Sequence, residues 1–198
     1  RVAPHHVRGL HRALEVAARL LAQVGDLPRV DVRVADLAAV RGRSTQLAVF
    51  LDSTGRAYSL PAHTLPSARG QGEPLSGRLD PPDGAKFAGV AIGEPQELWL
   101  LATDAGYGFT VRLEELHSRV RAGKAVLKLT ENAQVLCPVP VASPDAVIAA
   151  VNSEGRLLVF PASELPEMPR GKGNKIFGIP TQKALDREEL LVAVAALS

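Results

Sequence analysis

Three hairpin glycines, Gly55, Gly106 and Gly155, fall 51 and 49 residues apart, and three leucines, Leu65, Leu116 and Leu165, keep the same two intervals. Two independent markers holding one spacing through three copies describe a repeat array, in which each unit is too small to bury its own faces and is stable only against its neighbours. The fullest copy is ELWLLATDAGYGFTVRLEELHSRVRAGKAVLKLT, residues 97–130. It reads as an apolar strand over 98–102, a tight glycine turn over 104–108 and a second strand over 109–113. A corner at Leu116, a basic loop (Arg119, Arg121, Gly123, Lys124) and a third, alternating strand AVLKLT follow. With a fourth strand in each copy, about four short strands recur in about 50 residues, the size class of propeller blades.

The other copies follow this plan. The first places strands over 48–51, 56–60, 75–79 and 87–92, with the loop SARGQGE between the second and third. The second closes on QVLCPVPV, residues 134–141, whose alternate prolines suit an edge or bulged strand. The third runs from Ala146 through AVIAAVNSEGRLLVFPASELPEMPRGKGNKIFGIP to a longer connector. Its tail, residues 183–197, has a helical pattern in isolation, but the repeat register assigns 190–197 to a strand. The array stops mid-pattern, as a piece of a longer protein would.

Residues before the repeats differ. Leu10, Leu14, Ala17, Leu21 and Val24 stand at helical spacing with Gly25 as a stop, and Val30, Val32 and Val34 alternate as a strand. The segment LAAVRGRSTQ ends in a basic loop at Arg41 and Arg43. His5, His6 and His11 have no carboxylate or cysteine at ligand spacing, so they are not read as a metal site.

The chemistry-bearing residues form no catalytic constellation. Glu114-Glu115 and Glu188-Glu189 are adjacent pairs that point different ways and read as solvated faces. There is no GxSxG elbow, and the Gly123-Lys124 pair fails the P-loop spacing. Trp99, Tyr58 and Tyr107 read as packing residues, with Tyr107 in a turn. The single cysteine, Cys137, excludes a disulfide framework and reads as a buried, inert thiol. No apolar run approaches the length of a membrane span, and no signal peptide is evident at the N-terminus, so a cytosolic location is the default expectation.

What recurs is a basic, glycine-rich loop at one topological position: Arg69-Gly70-Gln71-Gly72, then 119–124 (RVRAGK), then 170–175 (RGKGNK). Glycine lets backbone approach a partner closely and turns N–H groups towards phosphate oxygens, while the neighbouring Arg and Lys neutralise the charge. A net charge of +2 means that any polyanion would be held by one face rather than by overall charge. Phosphate contacts of this kind are blind to base sequence.

DSTGRAY with LPSARGQGEPL, ATDAGYGF with RAGKA and LTENA, and LPEMPRGKGNKI resemble the C-terminal domain of the A subunit of bacterial topoisomerase IV, a relative of the gyrase A C-terminal domain, over residues 38–198. The resemblance implies an all-β fold, a β-pinwheel. This is a propeller-like disc of four-stranded blades, open or closed, in which neighbours exchange a strand and double-stranded DNA binds round a basic perimeter. It divides the chain into a divergent segment, 1–37, that is either a first blade or a helix, and a pinwheel with repeats at about 47–95, 97–145 and 146–198. It further implies a non-catalytic, DNA-bending domain of a type IIA topoisomerase that helps select DNA crossings for decatenation and supercoil relaxation. Its partners would be the remainder of the topoisomerase IV A subunit, together with the B subunit, which hydrolyses ATP, in the nucleoid-associated cytoplasm. The domain itself would hold no cofactor, whereas the whole enzyme would need ATP and Mg2+. The gyrase wrapping box is missing, which predicts weak bending without strong chiral wrapping. The residues expected on the DNA are Arg69, Arg119, Arg121, Lys124, Lys128, Arg156, Arg170, Lys172 and Lys175, with Arg41 and Arg43 next. The competing reading is a propeller-like protein-interaction platform, which needs no basic rim and whose binding would be insensitive to salt. An independent enzyme would need convergent titratable groups that the sequence does not offer.

Overall fold

The computed structural model describes residues 29–34, 38–66 and 72–197. The helix expected over 10–24, the three N-terminal histidines and Arg69 lie outside the described residues. The strands, in chain order, are β1 (Arg29–Val34), β2 (Ala38–Arg43), β3 (Leu47–Asp52), β4 (Arg56–Pro61), β5 (Phe87–Ile92), β6 (Leu98–Ala102) and β7 (Tyr107–Arg112). They continue with β8 (Lys124–Ala125), β9 (Val139–Val141), β10 (Val147–Asn152), β11 (Leu157–Pro161), β12 (Asn174–Lys175) and β13 (Leu191–Leu197). The tail of the third repeat is therefore a strand, and the corners at Ala62–Thr64, Leu113–Leu116 and Ala162–Glu164 are single helical turns.

Three antiparallel sheets carry the array, in the orders β5-β3-β4-β8, β12-β7-β6-β9 and β11-β10-β13, with β1 and β2 as a separate hairpin. β2 packs against β5. The outer strands of these sheets have different origins. β9 carries Pro140, with Pro138 just before it, and sits at an edge, where a missing N–H breaks no ladder. The opposite edge is filled from the next repeat: β8 pairs with β4 through Arg56↔Ala125 and Ala57↔Lys124, and β12 pairs with β7 through Tyr107↔Lys175 and Gly108↔Asn174. The third strands expected over 75–79 and 125–130 do not form within their own repeats. Residues Leu75–Gly77 are a 3-10 turn, and AVLKLT contributes only its first residue, with Lys124, to the preceding sheet.

The core lies between successive sheets. On β6 every residue is buried, and its two faces serve different neighbours. Trp99 and Leu101 pack with Val49 and Leu51 of β3, while Leu98, Leu100 and Ala102 pack with Ile148 and Ala150 of β10. A strand sandwiched in this way loses the polar-apolar alternation of a one-sided sheet. β10 buries only Ile148, Ala150 and Asn152, so its other face has no such cover.

Three expectations about single residues need correction. Arg41 and Arg43 lie on β2, paired with β1, rather than in a loop. Cys137 is exposed, its Sγ donating to the Ala88 carbonyl at 3.2 Å, because it stands in the irregular segment that leads through Pro138 into the edge strand β9 rather than in a core. Desolvation around the sulfur still raises its thiol pKa. Glu189 is buried rather than solvated and accepts from Asn152 Nδ2 at 2.8 Å and Lys183 Nζ at 3.3 Å.

Candidate nucleic-acid interface

Two of the three basic loops, 119–124 and 170–175, are the connections that carry the exchange strands β8 and β12, so their glycines have a structural task. Gly123 has φ +61 and Gly173 φ +76, and a Cβ on either would meet the carbonyl of Ala57 or Gly108 on the preceding repeat. Close backbone approach was expected towards phosphate, but here it is directed at the neighbouring sheet. The exchange is clamped in two chemically opposite ways. Arg56, which opens β4, donates through Nε to the Ala122 carbonyl and through Nη2 to that of Gly123, both at 3.0 Å. Tyr107, in the same place on β7, instead receives a cation from the incoming loop, with Lys172 Nζ 4.3 Å from its ring centroid and Lys175 Nζ at 5.9 Å. Lys175 also donates to the Ile179 carbonyl at 3.2 Å. Sequence reasoning passed over Arg56; the recurrence of Gly-Arg at 55–56 and 155–156 was the available signal.

Successive loops abut. The Asp80 N–H donates to the Arg121 carbonyl at 2.9 Å, joining the end of the first loop region to the second. The second meets the third at a parallel bridge between Leu127 and Gly171, where Lys128 N–H donates to the Gly171 carbonyl at 2.8 Å and Gly171 N–H to that of Val126 at 2.9 Å. One continuous border therefore runs through residues 77–80, 119–128 and 170–175.

The cations on and near it are not equivalent. Arg121 is tied to Asp80 at 3.3 Å and donates to the Gly77 carbonyl, Arg156 to Glu154 at 2.8 Å, and Arg43 to Glu94 at 3.3 Å. These pairs are exposed, worth about 0–1 kcal/mol each, and a phosphate can compete for such a cation. Arg119, Lys124, Lys128 and Arg170 make no side-chain hydrogen bond or ion pair with any described residue, and three of them (Arg119, Lys128, Arg170) are exposed. Arg41 is also exposed, on β2. The ladder pairs Ala125 with Arg56 and Lys175 with Tyr107, so the charges do not repeat position by position: Lys124 aligns with Asn174, and Arg121 with Gly171.

His117 borders this loop, half-buried, with Nε2 enclosed and without a hydrogen-bond partner among the described residues. Burial, and then the Lys124 charge, lower its pKa against a smaller upward pull from Glu114. The fold therefore favours neutral imidazole. Stability is full above the unfolded histidine value of about 6.5, falls as pH drops through it, and levels off below the folded value. In urea titrations between about pH 8 and pH 5, His117→Gln is expected to flatten this segment of the curve; an unchanged slope would contradict the assignment.

Among the described residues no group of three His, Cys, Asp or Glu side chains is placed to hold a metal, and no helix is long and apolar enough to cross a membrane. The family model described as DNA gyrase C-terminal domain, beta-propeller, matches residues 97–136 and 147–198. The chain is similar to the A subunit of DNA topoisomerase 4 from Pseudomonas aeruginosa, 55% identical over 161 residues, which cover 81% of this chain and 21% of that protein. Its counterpart in Escherichia coli K12 is 44% identical over 174 residues, covering 87% and 23%. The chain thus spans about a fifth of the length of these relatives. Among solved structures, the E. coli ParC C-terminal domain superposes with a TM-score of 0.75 at 46% identity, over 80% of this chain and 65% of that one. A DNA gyrase A C-terminal domain shares the fold, with a TM-score of 0.62 at 15% identity, over 85% and 55%.

Proposed function

Because the chain belongs to the family of C-terminal domains found in gyrase A and in the A subunit of topoisomerase IV, we propose that it is a non-catalytic module that binds double-stranded DNA along its loop border and bends it. The observation that carries this reading is the contiguity of the successive loops through the Asp80–Arg121 and Lys128–Gly171 hydrogen bonds. That contiguity sets Arg119, Lys124, Lys128 and Arg170, none of them neutralised by a described carboxylate, on one border. Backbone phosphates are the matching ligand, because a row of cations without side-chain base readers neutralises charge and does not select sequence. In the whole enzyme the module would grip DNA beside the cleaved segment and help choose the crossing to be passed. Strand cleavage, ATP hydrolysis and Mg2+ binding would belong to the remaining domains of the enzyme, in the bacterial cytoplasm at the nucleoid.

The double variant Lys128→Glu, Arg170→Glu is expected to weaken binding of a short duplex about tenfold or more, equally for unrelated DNA sequences, and to lower the salt slope by about two units. Fluorescence anisotropy between about 50 and 200 mM salt reads both quantities. An affinity that ignores salt would remove DNA in favour of a protein partner. An unchanged affinity in the double variant, with steep salt dependence retained, would move the footprint elsewhere on the molecule.

A further inference from the structure

The tip of the second basic loop, residues 119–122, is exposed at every residue, and one of the four is a large apolar side chain. Val120 leaves 60% of its surface to solvent, between Arg119 and Arg121. A single exposed apolar residue is ordinary, but this one holds a marked position. Three residues before the loop glycine, the first and third loops carry Arg69 (ahead of Gly72) and Arg170 (ahead of Gly173); ahead of Gly123 that place belongs to Val120. The middle loop thus sets an isopropyl group where its counterparts set a charge that a phosphate can use.

The backbone beneath Val120 is held firmly. Ser118 N–H donates to Ser59 Oγ on β4 at 3.0 Å, and Val120 N–H donates to Ser118 Oγ at 3.4 Å. From Val120 to Gly123 every carbonyl is already accepting. That of Val120 takes Gly123 N–H at 3.0 Å and the Ser118 hydroxyl at 3.2 Å, and that of Arg121 takes Asp80 N–H. Those of Ala122 and Gly123 take the Arg56 guanidinium. Valine, arginine and alanine side chains bring no acceptor of their own. The tip therefore offers a partner donors and apolar surface.

That inventory matches one surface of a duplex. In the major groove every base pair shows a donor, the amino group of adenine or cytosine; in the minor groove G·C shows the guanine amino group, and A·T shows acceptors alone. A base donor buried against this tip would be left unpaired. Resting on the DNA reading above, we propose that the 119–122 tip enters the minor groove of an A·T stretch. Val120 lies against the groove floor. The Arg119 guanidinium, which makes no side-chain hydrogen bond or ion pair with any described residue, donates to adenine N3 or thymine O2. The phosphate contacts along the rest of the border stay blind to sequence, and the middle loop decides where along the DNA the module settles.

Binding of the 198-residue chain to three duplexes of equal length tests this. Their central base pairs are A·T, G·C or inosine·C, which lacks the minor-groove amino group but keeps the major-groove face of G·C. The A·T and inosine·C duplexes are expected to bind alike, each at least about fivefold more tightly than G·C. Val120→Asn supplies an acceptor for the guanine amino group. It is expected to bring the three affinities together while leaving the salt slope unchanged, because no charge is altered. Three equal affinities for the unaltered chain, with a steep salt slope, would overturn the tip assignment and leave the DNA reading standing. Inosine·C binding like G·C would also overturn it, since the amino group would then not be what is read. A preference that survives Val120→Asn would remove Val120 from the contact. Salt-insensitive binding, or none, would take down both readings.

Discussion

Gly173→Ala is expected to cost about 3–4 kcal/mol of unfolding free energy and to release the third repeat from the second, while Gly72→Ala costs about 1 kcal/mol. Both glycines are left-handed, at φ +76 and φ +80, so the intrinsic backbone strain of a Cβ is shared. The difference is what the methyl meets. At Gly173 it runs into the carbonyl of Gly108 and the following Phe109 nitrogen, and backbone in the middle of a sheet cannot step aside without breaking the β7–β12 pairing. At Gly72 it meets open space. The pairing also brings Lys172 over Tyr107 and Ile176 into the core between the second and third sheets, so losing it exposes apolar surface. Urea unfolding of the two variants under identical conditions decides the matter. Equal costs would mean that the exchange contributes nothing beyond local strain.

The second large effect concerns Asp52, a fully buried carboxylate at the end of β3. Its Oδ1 accepts from the Thr54 N–H at 2.9 Å, the Thr54 hydroxyl at 2.7 Å and the Arg56 N–H at 3.0 Å; its Oδ2 accepts from the Tyr58 hydroxyl at 2.7 Å. One side chain thus closes the hairpin turn and satisfies a phenol that is itself 0% exposed. Burial first, then the hydrogen bond and charge of Asp52, hold the Tyr58 pKa above the ordinary tyrosine range, so the phenol stays a donor. Asp52→Ala leaves that hydroxyl and two turn N–H groups without their acceptor and is expected to cost about 3 kcal/mol. Tyr58→Phe leaves Asp52 three donors and is expected to cost about 1 kcal/mol. In a double-mutant cycle the two losses should fall short of additive, because removing the acceptor already forfeits the phenol's bond. Strict additivity would show that the pair is not coupled.

The hairpin turns illustrate what was legible locally. Gly55, Gly106 and Gly155 mark β3–β4, β6–β7 and β10–β11 because a tight turn needs a residue free of Cβ strain, and the corner leucines turn inward, Leu116 and Leu165 buried and Leu65 packed half-buried against its core. The site was less legible. The loop position was evident, but the pairing of Arg43, Arg121 and Arg156 with Glu94, Asp80 and Glu154 was not: two of those partners lie about 40 to 50 residues away in sequence, and the third had no mark distinguishing it from a solvated acid. Glu189 went into the interior for a comparable reason: Lys183 stands only six residues away, but Asn152, 37 residues away, meets it only once β13 lies on β10.

The amino-acid order by itself determined the repeat, its hairpins, its corner residues and the family: the repeat is written in the spacing between copies, and the rest in strings within them. The tertiary structure alone decided which strand completes which sheet. A two-residue strand such as Lys124–Ala125 or Asn174–Lys175 has no periodicity to read, and its partner is chosen by where the preceding repeat presents an open edge. That choice is also what converted the loop glycines Gly123 and Gly173 from supposed phosphate contacts into joints between blades.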